Sequence, residues 1–128
     1  MRLLLDTHSL LWHVFSPAQL SAEGKRLILD QKVALFASVA SYWEMNIKAG
    51  LGKLSLQPTW QTRLQAEAAV NEIAWLAPSL QDCERVGQLP LHHRDPFDRM
   101  LIAQAQRADL TILSRDQVFV AYNIAVVW

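Results

Sequence analysis

Residues 92–107 read HHRDPFDRMLIAQAQR, and this stretch decides how the rest of the chain is interpreted. Asp95 followed by Pro96 is an N-cap residue followed by proline at the first helical position, where the missing N–H costs nothing, so a helix starts there. At about 100° per residue, Phe97, Leu101, Ile102, Ala105 and Ala108 share one apolar arc, with Met100, Gln104 and Arg107 opposite. Asp98 falls inside the apolar arc. A carboxylate on a core-facing stripe is costly to bury unless it is paired, hydrogen-bonded or bound to a metal. The competing reading makes Asp98 a first-turn acid that folds back toward Asp95 in the manner of a capping box.

Around this helix, short aliphatic runs alternate with helical patterns. Leu3–Leu5 is a continuous aliphatic run between Arg2 and Asp6, as expected of a strand buried on both faces. Asp6 stands at its carboxyl end, and Asp6 or Thr7 also suits the N-cap of a helix carrying Leu10, Leu11, Val14 and Phe15, with Trp12 and His13 as packing residues. Ser16 and Pro17 open a second helix expected to reach about Gln31. Val33–Phe36 is the second strand, and the next helix starts near Ser38 or Ser41 and stops at Gly50 or Gly52. Its inner face is expected to hold Ala40, Trp43, Ile47 and Leu51. Glu44 lies in that same arc, either as a second acid on an apolar stripe or as the partner of Ser41 in a capping box. Lys48, one turn on, is spaced to pair with Glu44 at the surface. Trp60–Val70 is a polar, alanine-rich helix, less committed to a core and so expected to meet a partner. Ile73–Leu76 is the third strand, and a short helix runs from Ser79 or Asp82 to near Gly87. After the Asp95 helix, Leu110–Leu113 is the fourth strand, followed by Ser114, Arg115 and Asp116, and Ile124–Trp128 is the fifth. Asp116 also fits a plain turn former.

The 128 residues suit a single domain, 1–128, and the 52% hydrophobic and 19% charged content excludes a disordered chain. Twelve basic and twelve acidic residues cancel, so the chain lacks the global field of many nucleic-acid binders. A phosphate-bearing ligand must then be held by a local patch or by metal ions. Cys83 is the only cysteine, which excludes a disulfide framework and a thiolate metal cluster, and the cytoplasm is the expected compartment. The opening MRLLLD is too short for a signal peptide, and no apolar run approaches the ~20 residues of a membrane span.

Strands alternating with helices imply right-handed βαβ units and a parallel sheet covered on both faces. Ligands of such sheets bind beyond the carboxyl ends of the strands, where the strand order reverses. Asp6 and Asp116 are placed at strand carboxyl ends, and Glu44 and Asp98 in the first turns of helices starting on that edge, so the four acids converge. Clustered carboxylates repel one another and are tolerated when a cation shares them; oxygen-only ligation points to Mg²⁺ or Mn²⁺. Two such ions would clamp a phosphodiester and activate the attacking water.

The pattern resembles the PIN-domain nucleases, and among them the VapC-type toxins of bacterial toxin–antitoxin pairs. The resemblance runs through LLLDTHSLLW, SYWEMNIKAGLGKL, HHRDPFDRMLIAQA and TILSRD, in that order and spacing. It implies a three-layer α/β/α fold with a mostly parallel five-stranded sheet, and a Mg²⁺- or Mn²⁺-dependent endoribonuclease. It also implies a homodimer inhibited by a small cognate antitoxin. The family's acids correspond to Asp6, Glu44, Asp98 and Asp116 as catalytic metal ligands, with Asp95 the alternative to Asp98. In that scheme Arg94, Arg99 or Arg115 offsets charge on the RNA substrate, Thr7 and Ser114 orient ligands or water, and His92 and His93 add to a local positive rim. Two other functions compete. One is a catalytically silent protein-interaction or RNA-binding module on the same fold. The other is a phosphoaspartyl phosphatase, which calls for an acid two residues after Asp6, where this chain has His8.

Overall fold

The computed structural model describes residues 1–128. In chain order the elements are β1 (Arg2–Leu5), α1 (Thr7–Phe15), a 3₁₀ turn (Pro17–Gln19), α2 (Ala22–Leu29), β2 (Ala34–Ser38), α3 (Val39–Gly50) and α4 (Trp60–Val70). They continue with β3 (Ala74–Leu76), α5 (Leu80–Gln88), α6 (Pro96–Ala108), β4 (Thr111–Leu113), a second 3₁₀ segment (Gln117–Tyr122) and β5 (Val126–Val127). The five strands form one all-parallel sheet in the order β3-β2-β1-β4-β5. β1 is central, so the strand order reverses between β1 and β4.

The aliphatic run of β1 explains its position: Leu3, Leu4 and Leu5 are all fully buried because both faces of the strand are covered. Leu3 and Leu5 face a layer that includes Leu10 of α1, Leu27 of α2 and Leu64 of α4. Leu4 faces the opposite layer, with Leu101 and Ile102 of α6 and Phe119. The result is an α/β/α sandwich. α5 is tied to α6 by Arg107, whose guanidinium donates to the fully buried Asp82 at 2.5 and 3.1 Å. No helix is long and apolar enough to cross a membrane.

Several local expectations are corrected. The helix expected from Ser16 to about Gln31 is two pieces, because Leu20 is extended and Ser21 caps a fresh helix by accepting from the Gly24 N–H at 2.9 Å. α3 starts from Ser38, whose hydroxyl accepts from the Ala40 N–H, and not from Ser41. Its buried residues are Ala40, Ser41, Glu44 and Met45, while Trp43, Ile47 and Leu51 are exposed. The apolar arc read from the sequence is thus rotated by about a quarter turn. Polar partners on α1, described below, hold Ser41 and Glu44 inward and turn Trp43 out, where its ring meets Phe97 edge to face at 5.3 Å. Gln104, placed opposite the apolar arc of α6, is fully buried, and its amide donates to the Leu76 carbonyl at 3.3 Å. α4 is more committed to the core than its composition suggests, since Trp60, Leu64 and Ala68 are buried. The third, fourth and fifth strands are shorter than read, at Ala74–Leu76, Thr111–Leu113 and Val126–Val127.

Candidate functional site

The carboxyl ends of β1 and β4 bring the first two acids together. Asp6 follows β1 directly and caps α1, its Oδ1 accepting from the Ser9 N–H at 2.8 Å. Its Oδ2 accepts from the Ser114 hydroxyl at 2.6 Å, across the switch point. Asp6 thus caps α1 with one oxygen and reaches across to β4 with the other. Burial pushes the Asp6 carboxyl above its ordinary range, and the donors Ser114 and Ser9 work against that rise.

α1 and α3 supply the next group. The Thr7 hydroxyl donates to Glu44 Oε1 at 2.7 Å, and its oxygen lies 2.9 Å from Ser41 Oγ. Ser41 is thus bonded to α1 and forms no capping box with Glu44. The other Glu44 oxygen accepts from Lys48 Nζ at 2.6 Å. Lys48 is the one ammonium paired into the acids, and its hydrogen bond to Glu44 holds its pKa above the ordinary lysine value. What the sequence presents as a surface pair joins a half-exposed lysine to a buried glutamate.

α6 contributes Asp98. Asp95 is the N-cap, its Oδ1 accepting from the Phe97 and Asp98 N–H groups at 2.9 and 3.0 Å. Asp98 does not fold back to complete a capping box, because the Asp95 N–H donates to His93 Nδ1 at 3.2 Å. The reciprocal box occurs elsewhere, between Ser79 and Asp82 at the start of α5. The Asp98 side chain turns toward the other acids, with Oδ2 3.0 Å from His93 Nε2. Its pKa is raised to about 8, first by burial and then by the charges of Asp95, Asp6, Glu44 and Asp116. Of the two acids in DPFD, Asp95 is spent on the cap and Asp98 faces the cluster.

Asp116, beyond β4, caps the second 3₁₀ segment by accepting from the Val118 N–H, and its Oδ2 lies 3.3 Å from His93 Nε2. One ligand atom each from His93, Asp98 and Asp116 lies within a mutual 4.8 Å. The donors around Asp6, Glu44, Asp98 and Asp116 are carboxylate oxygens, and these acids outnumber the single paired lysine. That donor set fits a hard divalent cation.

The three arginines differ. Arg94 and Arg115 are exposed and carry no ion pair. Arg99 is spent on backbone: Nη1 donates to the Pro90 and His93 carbonyls at 3.0 and 3.1 Å, and Nη2 to the Val86 and Leu89 carbonyls at 2.9 and 3.1 Å. It fastens the end of α5 and the loop leading to α6. Tyr122 clamps the same loop, its hydroxyl accepting from the His92 and His93 N–H groups at 2.9 and 2.7 Å and donating to the Pro90 carbonyl at 2.8 Å. Sequence reasoning took Ser41 for a capping residue, missed Tyr122 and saw His93 only as part of a basic rim. No periodicity marks a hydroxyl that reaches across tertiary structure, and the doubled histidine was the only sign of His93.

Fold and site together define a parallel α/β domain with a cluster of acids at its switch point. The chain belongs to the PIN domain family, whose model matches residues 3–124. A search of curated proteins by sequence gives no significant match. Among solved structures, the chain is similar to VapBC2 from Rickettsia felis bound to a DNA fragment from its promoter (14% identity, TM-score 0.76, 99% of this chain and 98% of that one covered). It is similar to DNA-bound VapBC from Salmonella typhimurium (18%, 0.71, 99% and 97%). It is also similar to a toxin–antitoxin complex from Klebsiella pneumoniae (20%, 0.60, 98% and 95%). At these identities the likeness concerns the fold.

Proposed function

We propose that the protein is a Mg²⁺- or Mn²⁺-dependent endoribonuclease and the toxin of a toxin–antitoxin pair. The observation that carries this reading is the gathering of Asp6, Glu44, Asp98 and Asp116 around the switch point, near enough that the charges of the other three add to burial and to Asp95 in raising the Asp98 carboxyl. Like charges are gathered this closely where a cation is to share them. A divalent ion bound there supplies an acidified water and offsets charge on the phosphodiester. The residues divide the remaining work. Asp6, Glu44, Asp98 and Asp116 hold the ion, and Ser114 and Thr7 orient the oxygens of Asp6 and Glu44 through their hydrogen bonds. Exposed Arg94 and Arg115 meet the phosphates of RNA, a role for which Arg99 retains only Nε–H.

The antitoxin and homodimer readings draw on two surfaces. One of the complexes of similar fold is a toxin–antitoxin complex, which supports a small protein partner for this chain. A recess of about 320 Å³ beside the acids, bordered by Thr7, Trp12, Phe15, Met45, Lys53 and Leu56, adjoins α1 and the loop after α3 and is the seat assigned to it. A second copy is assigned to α3, where Val39, Trp43, Ile47 and Leu51 form one exposed apolar stripe about 18 Å long.

The test is cleavage of single-stranded RNA by the purified protein. Activity is expected with Mn²⁺ or Mg²⁺ and lost in EDTA, and Asp6→Asn should abolish it while leaving the fold intact by circular dichroism. Equal cleavage by wild type, variant and EDTA-treated protein overturns the reading.

A further inference from the structure

The imidazole of His93, read from the sequence only as part of a positive rim, lies between two of the four acids. Its Nδ1 accepts the Asp95 N–H at 3.2 Å, so the lone pair on that nitrogen is in use and the neutral ring carries its proton on Nε2. Nε2 is buried, 3.0 Å from Asp98 Oδ2 and 3.3 Å from Asp116 Oδ2, with its hydrogen directed along neither line. For Nε2 to ligate an ion the proton would have to move to Nδ1, where it would face the Asp95 N–H, donor against donor. The ring is also held in place. The His93 N–H donates to Tyr122, its carbonyl accepts from Arg99, and its ring rests on Phe119 with centroids 5.9 Å apart.

Asp116 needs such a partner. It is the most exposed of the four acids, its side chain 44% accessible, and its Oδ1 is committed to the Val118 N–H. Only Oδ2 is left to face the other acids, where a charge on Asp98 repels it. An N–H placed between the two carboxylates attracts both.

We propose that His93 is a positioning residue for the ion site: its Nε2–H gathers Asp98 and Asp116 so that their oxygens face a divalent cation, while the imidazole itself stays off the ion. The inference rests on the reading of the acids as a metal site, and it adds that the site is built from oxygen ligands set in place by a nitrogen donor. Partners that orient ligands in this way are typically worth roughly ten- to a hundredfold in metal affinity.

The experiment is a Mn²⁺ titration of wild type, His93→Ala and His93→Gln by calorimetry, with electron spin-echo spectra of the bound Mn²⁺. His93→Ala should bind roughly tenfold more weakly or worse. His93→Gln, whose amide N–H reaches near the place of Nε2–H, should recover most of the affinity, a rescue that lost packing alone does not explain. The spectra should show no directly bound histidine nitrogen. Wild-type affinity in His93→Ala, or a bound nitrogen signal in wild type that the substitution removes, overturns the proposal while leaving the nuclease reading in place. Wild type that binds no Mn²⁺ at all overturns both. Should His93→Ala fail to fold, long-range ¹H–¹⁵N spectra of wild type decide the matter: a proton on Nε2 supports the proposal and a proton on Nδ1 overturns it.

Discussion

Replacing Asp98 by asparagine separates a cluster of like charges from an ordinary helix-start acid. In the unfolded chain the carboxyl ionises at its ordinary value of 3.8, and in the folded protein at about 8. The unfolded state therefore binds fewer protons than the native state between those values, and stability falls as pH rises through this window. Below pH 3.8 the group costs nothing, and above about 8 the cost is complete. At pH 7, a little over three pH units above the unfolded value and still below the folded one, the cost comes to about 4 kcal/mol as an upper figure. A quarter of the side chain is exposed (25%), and screening by water brings the expected gain to the order of 1–3 kcal/mol. Asparagine has the shape of the protonated acid and no charge to lose. Asp98→Asn should therefore melt higher than wild type in EDTA at pH 7, by several degrees for a domain of this size. The advantage should shrink toward pH 4. The variant should also lose most of the stabilisation that Mn²⁺ gives wild type, which is about 2.7 kcal/mol at a hundredfold excess over Kd. Thermal melts of both proteins at pH 4.5, 7 and 8.5, with EDTA and with Mn²⁺, measure all of this. A variant less stable than wild type at every pH, by the few tenths to about 1 kcal/mol of a lost first-turn charge, and still showing the full Mn²⁺ shift, would refute the reasoning.

Three further outcomes are expected. Ser114→Ala removes the hydroxyl that donates to Asp6 at 2.6 Å, so it should lower Mn²⁺ affinity in calorimetry and cost about 1–3 kcal/mol in urea melts; unchanged affinity would separate Ser114 from the site. Arg99→Ala strands four backbone carbonyls and should destabilise by about 3 kcal/mol or more, whereas a stable variant defective only in KM for RNA would return Arg99 to the substrate. Trp43 is 62% exposed in the middle of the α3 stripe, and Trp43→Glu should convert a dimer to a monomer in light scattering without lowering stability; a dimer that persists places the interface elsewhere.

Much of the architecture and the acid set could be read from local chemistry. The Asp95–Pro96 start of α6 and the two-sided burial of Leu3–Leu5 depend on backbone hydrogen bonding and hydrophobicity within a few residues, and both appear in the structure as read. The alternation of such segments led to a parallel sheet, and the sheet's strand carboxyl ends led to Asp6 and Asp116. Glu44 and Asp98 stood out because an acid on an apolar stripe is expensive. What only tertiary structure decided was orientation and pairing. A helical wheel describes one helix in isolation, so it could not show that Thr7 on α1 would hold Ser41 and Glu44 inward and leave Trp43 exposed. It could not show that Gln104 would be covered, because its amide finds the Leu76 carbonyl on another element, 28 residues away in sequence. The uses of Arg99, Tyr122 and His93 also lay beyond the sequence. A polar side chain's role is set by the donors and acceptors within about 3 Å of it, and folding brings those from anywhere along the chain.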